Sequence, residues 1–228
     1  MEIYKYCFDK ESKAPLFISM LSSKEDVIGI YNTFNKTNYS AEDLVSICVI
    51  DDAVYIRAKN DKYLMFKMAI NLCKNQPAVN PNIPLQFLLQ YAHLEDASIY
   101  AKRHPVKFVV FYNGITDMPE VRELRLSSAF DSSEESSFGG LELKVSVINI
   151  TEGNNKEFLE TSPILDGYAY LIDRVIHYGR ENCTPKVAIE QAIQDCINNN
   201  KLKDYLEKNR NDVMNFLMAE CEEQSLQD

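Results

Sequence analysis

The chain has 228 residues, 46% of them hydrophobic and 25% charged, and its 34 acidic side chains outnumber 24 basic ones for a net charge of −10. This mix, with only 7 Gly and 8 Pro, excludes collagen-like and long disordered sequences. The surplus of acid argues against a strong nonspecific nucleic-acid binder, which needs excess Lys and Arg to neutralise phosphates. The opening MEIYKYCFDKESK lacks the apolar stretch of a signal peptide. No apolar run approaches the roughly 18 residues of a membrane span. A cytoplasmic protein with no membrane partner is therefore expected.

The first element is a helix over Phe17–Asn35, with Phe17, Met20, Leu21, Ile28, Tyr31 and Phe34 at helical spacing. Three short apolar runs follow, Leu44–Ile50, Ala53–Ala58 and Tyr63–Cys73. They are separated by turn-forming Asp51-Asp52 and Lys59-Asn60-Asp61, and read as a β-meander. The Pro-rich crossing QPAVNPNIP leads to a helix of about twenty residues from Leu85. KFVVFYNG reads as a buried strand ending in a turn, and LELKVSVINI as a last strand beyond the Ser- and Glu-rich stretch 127–137. That stretch has too little apolar surface to bury and is expected to be a mobile loop.

The last third is helical. Pro163 suits a first turn, followed on one face by Leu165, Ala169, Ile172 and Val175. Thr184-Pro185 is an N-cap and N1 pair for a second helix, and a third runs from Leu202 through Leu217. Helix, three strands, helix and two strands in this order predict an α/β core. Residues 1–152 would form it, with 153–228 as a helical layer packed against it. The six cysteines, at 7, 48, 73, 183, 196 and 221, form neither a CxxC motif nor a Cys/His cluster. They read as reduced thiols and not as zinc ligands.

No Gly-rich phosphate loop, HExxH, GxSxG or kinase motif is present. The segments YNTFNKTNYS, DDAVYIRAKND, NQPAVNPNIPLQFLLQYA, KFVVFYNG, LELKVSVINITEGNNKEFLE and KLKDYLEKNRNDV resemble, in order and spacing, the Rpn family of recombination-promoting nucleases. That family, also called putative transposases, belongs to the PD-(D/E)XK nuclease superfamily. The resemblance spans about Phe17 to Met218. It implies an αβββαβ core with a mixed sheet, and an active site in which carboxylates hold Mg²⁺ to activate water.

Carried over residue by residue, the resemblance places Asp61 as a metal ligand and Gln76 as a site residue. Lys74 falls at the degenerate position where the family has a metal-binding Glu. The acid before the first helix becomes Ala14, and the Arg after NPNxP becomes Gln86. An ammonium in place of that Glu opposes a divalent cation. At about 4 Å and an effective dielectric near 20, each unit-charge interaction is worth roughly 4 kcal/mol. The expectation is a nuclease fold without its usual metal chemistry: no cofactor, or Mg²⁺ held through Asp61 if the site is active. Glu95 or Asp96 would be the candidates for a migrated acid.

Lys74 also closes a basic stretch. Arg57, Lys59, Lys62, Lys67 and Lys74 face a single acid, Asp61, for a local charge of +4. Lys102, Arg103, His104 and Lys107 would add to it. Two accounts of this stretch stay open: a DNA- or RNA-phosphate surface, or lysines that keep a sheet edge solvated. The functional expectation is a degenerate nuclease-fold protein that binds nucleic acid or a protein partner in a mobile-element or phage-defence setting. The alternatives are an active Mg²⁺-dependent endonuclease with a rearranged site, and a protein-interaction module regulating a defence nuclease. Family resemblance makes a homodimer reasonable.

Overall fold

In a computed structural model, residues 16–21, 23–50, 52–59, 62–71, 79–94, 106–130, 140–181 and 184–225 are described. The predicted first helix is two: α1 (Leu16–Met20) and α2 (Lys24–Asn35). Ser23 explains the break. Its Oγ accepts from the Asp26 N–H at 3.1 Å and the Asp26 carboxylate accepts from the Ser23 N–H at 3.0 Å, so a reciprocal cap starts a new helix. Lys36, at φ 52°, ends α2 in the left-handed conformation.

The meander forms as expected from β1 (Leu44–Ile50), β2 (Ala53–Ala58) and β3 (Lys62–Asn71). Helix α3 (Ile83–Leu94) and β4 (Val106–Gly114) follow, then β5 (Val121–Arg125) and β6 (Lys144–Asn149). The tail of the expected twenty-residue helix and most of the Ser- and Glu-rich stretch lie outside the described residues. Strand β5 had no signal in the sequence, because VRELR has one buried side chain, Leu124. The chain continues through a short α4 (Lys156–Glu160) into α5 (Pro163–Gly179), α6 (Pro185–Asn198) and α7 (Lys203–Ser225), which kinks at Asn209. Pro163 and Pro185 occupy the first turns of α5 and α6, where a missing N–H costs nothing.

The six strands make one mixed sheet, in the order β1-β2-β3-β4-β6-β5. The β3–β4 and β4–β6 pairs are parallel and the rest antiparallel. Both faces are covered, so the central strands β3 and β4 are largely apolar, although Lys67 and Asn113 are buried on them. On one face Val54, Ile56, Leu64, Phe66, Val109 and Phe111 share a core with α1, α2, α5, α6 and α7. On the other, Tyr55, Tyr63, Met65, Val110, Tyr112 and Val145 meet Ile83 and Phe87 of α3. The α/β architecture with a C-terminal helical layer is thus the one expected, and residues beyond 153 share their core with the sheet. Among the described residues, no helix is long and apolar enough to cross a membrane.

Strand register fixes which residues share an end of this sheet. Ile50 pairs with Ala53, Ala53 with Lys67, Asn71 with Gly114, and Tyr112 with Asn149. The β1–β2 turn and the carboxyl ends of β3, β4 and β6 therefore lie together. Ala58, Lys62 and Val106 mark the opposite end.

Candidate functional site

At the carboxyl end of the sheet, a polar cluster interrupts the core between the strands and α3. Asp52 stands in the turn joining β1 to β2, directly before Ala53. Lys67 lies opposite Ala53 on β3, with its side chain on the α3 face, and is only 5% exposed. From α3, Gln86 and Gln90 project one turn apart on the same face, as i, i+4 residues must.

The Lys67 ammonium donates to the Asp52 carboxylate at 3.1 Å and to Gln86 Oε1 at 2.7 Å. It also lies 5.5 Å from the centre of the Phe87 ring, within range of a cation–π contact. The second Asp52 oxygen accepts from Gln90 Nε2 at 3.0 Å. Both carboxylate oxygens thus hold protein donors, although Asp52 keeps 44% of its side chain exposed. Chemically this is a neutralised carboxylate and a buried ammonium with its partners supplied. A divalent cation at Asp52 would sit beside that ammonium and would have to displace it. Among the described residues, no group of three or more His, Cys, Asp or Glu is placed to hold a metal ion.

Comparison with protein-family models, curated proteins and solved structures finds no match. The residues themselves therefore carry the functional argument.

Asp61, Lys74 and Gln76 lie outside the described residues, as do Lys102, Arg103 and His104. The strand between them is described: β3 runs from Lys62 to Asn71, a length of about 30 Å at 3.3 Å per residue. Among the described side chains, the remaining basic residues do not form one solvated track. Lys59 is exposed but paired with Asp43 at 2.6 Å. Arg57 is half-buried over the Tyr63 ring, 5.6 Å from its centre. Lys62 opens β3 opposite Ala58. Lys67 is buried as described. Lys107 is exposed on β4, with its ammonium 5.3 Å from the centre of the Phe34 ring.

Lys59 and Lys67 thus meet acids that precede the basic stretch in sequence, Asp43 and Asp52. In the sequence alone Asp52 is a turn residue and Lys67 a surface cation. The signal that could have joined them was a lysine in the middle of YLMFKMAIN. A charge at a position buried on both faces requires a partner. Nearby, Tyr55 and Tyr63 stack at 5.5 Å. Burial first, and then the neighbouring Tyr63, push the Tyr55 hydroxyl above the ordinary phenol range.

Proposed function

We propose that this chain is a catalytically degenerate nuclease-fold protein of the Rpn type, which acts by binding a protein partner and does not cut nucleic acid with a metal. The setting we propose is that of the family it resembles, mobile elements or phage–host conflict. One observation carries the reading. Lys67 and Gln90 occupy both oxygens of Asp52, which stands in the β1–β2 turn at the carboxyl end of the sheet, where a working site needs free carboxylates for Mg²⁺. Lys74, in place of the family's Glu, adds a second cation to the sequence just beyond β3.

A protein partner is favoured over nucleic acid because Lys59 and Lys67 are already neutralised within the molecule and the chain carries a net charge of −10. Phosphate binding draws its affinity from free lysines and arginines.

The test combines a thermal-shift titration with Mg²⁺ and Mn²⁺, a plasmid-nicking assay, and binding measurements on DNA and RNA. The expected outcome is no metal-dependent rise in melting temperature, no nicking, and no nucleic-acid binding at physiological salt. Metal-dependent nicking that disappears in Asp61→Ala or Asp52→Ala would overturn the proposal. It would establish the alternative, an active endonuclease with a rearranged site.

A further inference from the structure

We propose that a cleft at the carboxyl ends of β4 and β6, separate from the Asp52–Lys67 cluster, is a receptor for a single organic cation, a primary ammonium or a guanidinium. The inference does not rest on the nuclease reading. The cleft measures about 320 Å³, the size range of small-ligand sites. It lies outside the carboxyl ends of parallel strands, the place where open α/β sheets bind ligands.

Three elements wall it: the segment following β4, the turn following β6, and α5. The first two walls are braced from within. Asn149, almost fully buried, donates to the Met118 carbonyl at 2.7 Å and accepts from the Thr151 N–H and hydroxyl at 3.1 and 2.8 Å. The Tyr112 hydroxyl accepts from the Thr116 N–H at 3.1 Å. Helix α5 supplies Asp173, His177 and Arg180 at i, i+4 and i+7, with Arg174 beside them.

The charges do not balance. Asp117, Glu152 and Asp173 line the cleft against Arg174 and Arg180, which leaves one carboxylate in excess when all are ionised. Glu152 takes the Arg174 guanidinium at 2.8 Å, and His177 approaches Glu181 at 3.6 Å. Asp173 is left beside Glu152, with the Glu152 backbone N–H directed at its carboxylate. Burial, and then the Glu152 charge, raise the Asp173 carboxyl to about 7, with Arg174 only partly opposing them. A cation bearing N–H donors would reverse both effects. It would satisfy the Asp173 carboxylate and cancel its repulsion with Glu152. Metal ions fit poorly, because no cluster of three His, Cys, Asp or Glu is placed to hold one among the described residues.

Binding should therefore release a proton below pH 7 and none above it, because Asp173 must ionise to receive the cation. Two sources offer this chemistry, a free polyamine and the Lys or Arg side chain of a partner. Isothermal titration of the full chain with spermidine, ethylguanidinium and a short lysine-containing peptide tests the site and separates the sources. The expected result is saturable one-to-one binding of at least one probe, weakened tenfold or more by Asp173→Asn. At pH 6, but not at pH 8, the heat should depend on the buffer's ionisation enthalpy. Glu152→Gln, a change at an exposed side chain, should weaken the same probe and guards against a fold defect in the first variant. Spermidine binding without peptide binding assigns a polyamine; peptide binding without spermidine assigns a partner side chain. No saturable binding by any probe, or wild-type affinity in both variants, overturns the proposal.

Discussion

Asp173 gives the most direct quantitative test of this structure. Its carboxyl rises from 3.8 to about 7. About three pKa units at 1.36 kcal/mol each make a penalty of roughly 4 kcal/mol for an unscreened group. Asp173 retains some contact with water, so about half of that, roughly 2 kcal/mol, is a fair expectation after solvent screening. The sign follows from proton counts. Between pH 3.8 and 7 the folded chain holds the Asp173 proton while the unfolded chain has lost it, so this group makes stability fall as pH rises. The penalty is absent below the unfolded value and complete above the folded one.

Asp173→Asn keeps the shape and removes the titration. Urea unfolding of wild type and variant at pH 5, 6, 7 and 8 isolates the effect, because every other group cancels in the difference. The variant should gain on wild type by roughly 1 to 1.5 kcal/mol between pH 5 and pH 8, with little further change above that. Glu152→Gln should flatten the wild-type slope in part, since its charge is the second cause of the shift. A difference between Asp173→Asn and wild type that is the same at pH 5 and pH 8 would refute the reasoning.

The pairing of buried Lys67 with half-exposed Asp52 predicts an asymmetry. Asp52→Ala leaves the Lys67 ammonium buried without its carboxylate and should cost about 3 kcal/mol, whereas adding Lys67→Met to it should recover most of that loss; a denaturant double-mutant cycle reads both. Gly167 lies in α5 against Leu202, and a Cβ there would come within 2.6 Å of Leu202 Cγ. Leu202 is itself held at φ 52°, so Gly167→Ala should cost about 1 to 3 kcal/mol by urea midpoint, with part of the loss recovered when Leu202→Ala is combined with it.

The parts of the fold visible in the sequence are those in which a local pattern and the tertiary demand agree. Apolar runs broken by Asp51-Asp52 and Lys59-Asn60-Asp61 became β1, β2 and β3, and Pro163 and Pro185 opened helices where expected. The break at Ser23 was readable too, since Ser-x-x-Asp is a cap pattern, but the apolar spacing across it hid the stop. Strand β5 was not readable. Its pairing with β6 is set by the sheet, and Arg122, Glu123 and Arg125 carry no alternation with an apolar face. The polar cluster was hidden for a related reason. Asp52, Lys67, Gln86 and Gln90 lie on three elements, and only the β2–β3 register and the docking of α3 bring them together. Local charge counting gave Lys67 to the solvent because it saw neighbours in sequence and not across the sheet.

The same register bears on the nuclease reading more strongly than the substitution at Lys74. Metal catalysis needs its carboxylates within about 2.0–2.6 Å of a shared cation. At the carboxyl end of the sheet Asp52 is already held by Lys67. A gain of metal-dependent cleavage in Lys74→Glu would need Asp52 to be freed as well, so Lys74→Glu alone should stay inactive. Activity from that single change would mean that Lys67 does not withhold Asp52 from a metal, and would overturn this reading.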